Sequence, residues 1–182
     1  DAILLRNIIS DKSRAKSYLH TARILKLVAG TVLFIVVIIV AYLSKQNIQL
    51  IYILGILMFG VVINSFNVYK EFVIAVDKIR YTAFASIYSL IGANISRLIM
   101  IFAKVSVIWF SVAVVIGQIV NIIGLRYFYK KESKSGSNSF DMTIAKSLLS
   151  DSWPLVFTSF TGLLYIYADQ IIIEYYFNFK MV

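Results

Sequence analysis

Apolar positions along this chain fall in long runs separated by short charged segments. The first run, Leu27–Ser44 (LVAGTVLFIVVIIVAYLS), carries no charge, and neither does Gln46–Tyr69 or Val105–Leu125. Tyr81–Ala103 is interrupted by Arg97 alone, and a fifth run opens at Trp153 and Pro154 and holds Asp169 within its length. Each approaches the ~20 helical residues needed to cross a hydrocarbon core. In water the Val/Ile-rich first run would read as a strand, but in lipid an open sheet leaves its backbone unsatisfied while a helix pairs every amide internally. The pattern therefore predicts helices at about 22–44, 47–69, 81–103, 105–125 and 153–176. Pro154, the only proline, fits a helix's first turn, where its missing N–H costs nothing. Gly55 and Gly60 are small enough to admit a neighbouring helix closely.

Composition supports lipid as the solvent. Of the 182 residues 60% are apolar and 15% charged, too few charges to cover a soluble domain of this size. The predicted fold class is an all-α integral membrane protein with about five transmembrane helices. Cysteine is absent, which excludes disulfides, thiolate metal sites and Cys nucleophiles. A single histidine, His20, leaves no His-rich metal site, argues against a Ser/His catalytic set, and reads as a solvated or interfacial residue. HExxH, GxSxG and GxxxxGK[ST] are missing, and the loops are too short for a soluble active site, so no enzyme activity and no cofactor is expected.

The net charge of +9 becomes informative once the cations are sorted by side. Residues 1–26, 70–80 and 126–146 hold 14 of the 18 Lys and Arg residues, and Lys45, Arg97, Lys104 and Lys180 make up the rest. The positive-inside rule then places the three basic segments, residues 1–20 among them, in the cytoplasm, and five spans leave the C-terminal end outside. The excess serves topology and anionic headgroups rather than nucleic acid. Residues 126–150 read as a cytoplasmic connector between residues 1–125 and 151–182: RYFYKKESKSGSNSF is polar and flexible, and Ile144, Leu148 and Leu149 are spaced as a short amphipathic helix on the membrane face. Tyr127, Phe128, Tyr129, Trp153, Tyr175 and Tyr176 cluster at span ends as an aromatic belt. Residues 1–20 lack the apolar core of a signal peptide. An odd number of spans, a first residue other than Met and an abrupt end suggest a piece of a larger polytopic protein.

Charges within spans are expensive and single out Arg97 and Asp169. At 1.5 Å per residue each lies roughly 24 Å along its helix, in the outer third. Arg97 shares a face with Asn94 and Lys104 and suits a phosphate or carboxylate in a central cavity, or snorkelling to the interface. Lys104 marks an outer turn. Asp169, with Gln170 beside it, suits a proton or sodium coupling site, an ion pair, or a carboxyl hydrogen-bonded to neighbouring helices. Gln118 and Asn121 lie three apart on one helix face, as do Asn64 and Asn67, stripes that either line a polar lumen or join helices. Arg23 and Lys26, just before the first run, are candidate cytoplasmic phosphate contacts.

Three segments carry a family resemblance. DAILLRNIISDKSRAKSYLHTARILKLVAG, NVYKEFVIAVDKIRYTAFASIYSLIGANISRLIMI and AKSLLSDSWPLVFTSFTGLLYIYADQIII follow one another as in the bacterial polysaccharide flippases (Wzx-type) of the multidrug/oligosaccharidyl-lipid/polysaccharide exporter superfamily, which the chain resembles over nearly its whole length. The resemblance implies twelve helices in two lobes around a central cavity, of which residues 1–125 supply part of the N-terminal lobe and 151–182 the start of the C-terminal one. It implies translocation of an undecaprenyl-diphosphate-linked oligosaccharide by alternating access; family members share no single set of functional residues, and Arg97, Asn94, Gln118 and Asn121 as substrate contacts, with Asp169 and Gln170 in ion coupling, are hypotheses from this sequence. Membrane lipids, a polysaccharide polymerase and chain-length machinery are the expected partners. Competing readings are a multidrug/cation antiporter, a peptidoglycan-precursor flippase, a membrane polysaccharide polymerase or ligase, and a purely structural subunit.

Overall fold

A computed structural model describes residues 2–132 and 139–177, apart from the side chains of Lys12 and residues 169–177. Among the described residues seven α-helices follow in order: α1 (Ala2–Ser10), α2 (Ala15–Leu43), α3 (Ile48–Ile63), α4 (Val68–Ala75), α5 (Ile79–Phe102), α6 (Ile108–Glu132) and α7 (Met142–Phe177). Short 3-10 turns occupy Lys12–Arg14 and Asn64–Asn67, and no strand occurs among the described residues. Four stretches are long and apolar enough to span a bilayer among the described residues: α2, Ile48–Ala75, α5 and α6. The fold is thus that of an all-helical membrane protein. Contacts divide the chain into two compact units, Asp1–Ala145 and Lys146–Val182.

In the first unit the helices pack in the order α2, α3, α6, α5, with α4 continuing α3 against α6 and α1 lying across α2 and α4. Most of their surface stays apolar and exposed, as lipid-solvated helices allow. The ends carrying residues 15–26, 68–81 and 125–132 meet, which gathers the cations into one basic end. Tyr69, Val73, Ala85 and Leu125 form its core, with Phe66, Tyr81, Phe128 and Tyr129 packed around them.

Several elements differ from the sequence reading. The first helix expected from the sequence is the one at about 22–44, yet Ala2–Ser10 already forms α1 and buries Leu4 and Ile8. The second span does not run unbroken: Asn64–Asn67 (NSFN) tightens to a 3-10 turn, where residues that compete for backbone hydrogen bonds weaken the α-helix. Helix α6 continues through the basic run to Glu132 because Leu125 is buried, Tyr129 meets Tyr69 at 4.7 Å and Phe72 at 5.0 Å, Phe128 stacks on Tyr81 at 4.1 Å, and Glu132 pairs with Lys78. Phe128 and Tyr129 are therefore packing residues, whereas Tyr127 is 65% exposed.

Pro154 does not open a helix. It lies inside α7, which begins at Met142 because Asp141 caps it: Asp141 Oδ1 accepts the N–H of Thr143 at 2.8 Å and of Ile144 at 3.4 Å. The Asp141 N–H donates to Thr21 Oγ1 at 3.2 Å, fixing this start against α2. The proline leaves the Ser150 carbonyl without its helical partner, a small cost where Ser150 is exposed. The amphipathic segment and the fifth predicted span are thus one continuous helix; Ile144 and Leu148 are buried and Leu149 is exposed. Farther along, the hydroxyls of Thr158, Ser159 and Thr161 donate to carbonyls four residues back.

Three of the helix ends share one device. After α2, α4 and α5, the residues Lys45, Asp77 and Lys104 take positive φ of 50°, 60° and 48°. Each N–H returns to a carbonyl three residues back, and the next N–H to one five back, as in Lys104 to Ile101 at 3.0 Å and Val105 to Met100 at 3.3 Å. Lys104 therefore sits in the turn between α5 and α6, as expected. Left-handed backbone costs an ordinary residue about 1 kcal/mol or more. At Asp77 the C-terminus of α4 and the N-terminus of α5 act on the carboxylate in opposite senses, leaving the backbone effect to dominate. Asp77→Gly is expected to stabilise the protein by about 0.5–1 kcal/mol, seen as a higher thermal midpoint of the purified protein; a lower midpoint would show that the carboxylate itself matters.

Candidate functional site: an amide-lined cavity and a basic, aromatic helix end

Two polar stripes converge inside the first unit. Asn64 and Asn67 from the 3-10 turn, Ser89 from α5, and Gln118 and Asn121 from α6 line one cavity of about 210 Å³ with Ile122. Helix order makes the site, since α6 lies between α3 and α5. Ser89 Oγ donates to the Gly117 carbonyl at 2.7 Å, tying α5 to α6 beside the cavity. Gln118 reaches across to α3: a Cβ added at Gly60 would lie 2.6 Å from Gln118 Oε1. Gly60 thus admits a close neighbour as predicted, whereas Gly55 faces Ile38 at the ordinary distance of 3.8 Å. Gln118 Oε1 and Asn67 Oδ1 are buried acceptors with no hydrogen-bond partner. A buried, unpaired amide oxygen costs about 1–3 kcal/mol, and both oxygens belong to side chains that line this cavity. Its lining is neutral and offers donors and acceptors together.

The basic end holds a second polar constellation. Arg23 Nη1 donates to Tyr69 Oη at 3.2 Å, and the guanidinium lies 5.7 Å from the Phe66 ring centre, within cation–π range. Lys26, three residues on, interacts electrostatically with Glu71 of α4, a carboxylate only 7% exposed. Nearer the N-terminus, Asp11 Oδ1 accepts from Ser13 Oγ at 2.6 Å and from the N–H of Ser13 and Arg14. The Ser13 hydroxyl bond, with these amides, holds the Asp11 carboxyl below the usual carboxylate range.

Residues 2–182 match the family model described as polysaccharide biosynthesis protein. The chain belongs to that family. Neither a curated protein nor a solved structure matches it. For a membrane-embedded member of the polysaccharide biosynthesis family, the cavity and the basic end are the two places where polar chemistry is concentrated among the described residues.

The structure divides the residues that the sequence groups together. Gln118 and Asn121 line the cavity, joined there by Asn64 and Asn67, which the sequence marks only as a stripe. Asn94 and Arg97 lie on an exposed side of α5, because that helix turns Ala85, Ser89 and Ala93 toward α6. Arg97 Nη1 contacts Asn94 Oδ1 at 3.4 Å, and Asn94 Nδ2 donates to the Leu90 carbonyl at 2.9 Å. Five residues from the end of α5, roughly 7.5 Å, Arg97 is within snorkelling reach of that end. Arg23 and Lys26 also separate, one toward the tyrosines and the other toward Glu71. Asp169 and Gln170 lie outside the described side chains. Glu71 and Ser89 are absent from the sequence reading; Asn64, Asn67 and Glu71 recur at i, i+3 and i+7, a helical phase that marks all three as one face.

Proposed function

We propose that this protein acts in polysaccharide biosynthesis as a flippase, carrying polyprenyl-diphosphate-linked oligosaccharide units across the cytoplasmic membrane by alternating access. Convergence of Asn64, Asn67, Ser89, Gln118 and Asn121 on one neutral cavity supports this reading most. Sugar hydroxyls both donate and accept, and amides and a hydroxyl in a lipid-solvated bundle answer both needs. A cation antiporter would instead want a carboxylate in such a cavity, and Glu71, the one buried carboxylate among the described residues, is engaged with Lys26. In the same reading the basic end faces the cytoplasm, Arg97 and Asn94 lie along the cargo's path on the exposed face of α5, and Asp169 with Gln170 couples ion movement.

The decisive experiment is export in a strain lacking its own flippase, complemented by the full-length protein. Asn67→Leu together with Gln118→Leu removes both unpaired acceptors. At about 1 kcal/mol for each hydrogen bond lost to the cargo, export falls roughly 30-fold while protein amount is maintained. Lipid-linked units then accumulate in the inner leaflet. Wild-type export by a normally abundant double variant would reject the cavity's role.

A further inference from the structure

We infer that the basic end contains a binding site for a single phosphate group, formed by Lys16, His20, Arg23 and Tyr69. Lys16, His20 and Arg23 follow at i, i+4 and i+7 on α2 and so share one helix face. With Leu19, Tyr69 of α4 and Tyr129 of α6 they enclose a cavity of about 50 Å³. That is room for roughly three to four water-sized groups, the size of one phosphate's oxygens and too small for a sugar ring.

Two observations point to an anionic occupant. Arg23 Nε and His20 Nδ1 are buried and lack a hydrogen-bond partner, although Arg23 is oriented by Tyr69 and by the Phe66 face. Among the described residues no carboxylate lines the cavity, and Glu71 interacts electrostatically with Lys26. The pocket therefore combines a fixed guanidinium, an ammonium, an imidazole and a phenol with no acid to offset them. A guanidinium held by its neighbours offers its remaining N–H donors in a geometry that suits tetrahedral oxyanions. The phosphate arrives either on a lipid headgroup or as a soluble phosphate or diphosphate. This site is distinct from the amide cavity, and it stands or falls independently of the flippase reading because its test measures binding, not export.

Full-length protein in phosphatidylcholine nanodiscs is titrated with pyrophosphate, and in parallel transferred to nanodiscs containing phosphatidylglycerol, with thermal unfolding as the readout. Stabilisation by pyrophosphate that weakens at least tenfold in Arg23→Gln supports the site with a soluble ligand. Stabilisation by phosphatidylglycerol alone, again lost in Arg23→Gln, supports it with a lipid headgroup. Lys16→Gln, at the half-exposed side of the pocket, repeats the measurement should Arg23→Gln fail to fold. Arg126→Gln, an exposed cation of the same helix end, is the control. Equal weakening in Arg126→Gln, undiminished stabilisation in the pocket variants, or no stabilisation of the wild type from either source overturns the inference.

Discussion

Glu71→Ala is expected to destabilise the protein by about 3 kcal/mol, because it removes a buried carboxylate that interacts with the Lys26 ammonium at the edge of the apolar run of α2. Glu71 is buried on α4, a short helix held between α1, α2 and α6, and its interaction with Lys26 spans from α4 to α2. Removing one member of a buried pair costs about 3–5 kcal/mol, and the half-buried Lys26 sets the value near the lower bound. Against a typical stability of 5–15 kcal/mol this is a large fraction. Removing both charges has a different outcome: Lys26→Met with Glu71→Met is expected to recover most of the loss, since apolar groups of similar volume often replace a buried pair at little cost. Chemical unfolding of the purified full-length variants measures both. A loss below about 1 kcal/mol for Glu71→Ala, with no recovery in the double variant, would show that the interaction of Glu71 with Lys26 contributes no more than an exposed pair.

The spans were legible because lipid permits few alternatives: uncharged runs of this length have to be helices, and their number and order follow from the charges between them. What packing decides was hidden. Asn64 with Asn67 and Gln118 with Asn121 were each visible as a stripe, but their meeting depends on α6 lying beside α3, a contact between segments about fifty residues apart. Helix ends were harder still. Pro154 suggested a start that the Asp141 cap moves upstream, and the basic run 126–132 read as a linker although Phe128, Tyr129 and Glu132 anchor it to α4 and its neighbours. Arg97 stood out in the sequence by its charge alone, whereas Glu71 is more deeply buried but sits among charged neighbours that mask it. Charge within an apolar run thus identifies the conspicuous residue, and only the fold identifies the enclosed one.

Gly117→Leu is expected to part α5 from α6 and to cost about 3 kcal/mol or more. These two helices make the most extensive contact in the first unit, and the contact is built from small residues: Ala85 against Gly124, and Ser89 and Ala93 against Gly117. Such residues allow the close backbone approach on which helix association in lipid depends. A Cβ at Gly117 would lie 3.0 Å from the Ala93 Cβ and 3.4 Å from the Ser89 carbonyl oxygen, so even alanine requires the helices to yield. Leucine adds three further carbons that the interface has no room to admit, and it disturbs the 2.7 Å bond from Ser89 Oγ to the Gly117 carbonyl. Because Ser89 also lines the amide cavity, the same displacement deforms the cavity. Gly124→Ala, whose Cβ would meet Ala85 at 3.3 Å, is expected to cost under about 1 kcal/mol, a graded response to steric demand. Gly162 of α7, with nothing within 4 Å, should accept alanine without loss, since alanine favours a helix by about 1 kcal/mol over glycine. Unfolding measurements ranking Gly117→Leu far below Gly124→Ala, with Gly162→Ala at or above the wild type, would place the strength of this bundle in close backbone approach; equal stability of all three would refute it.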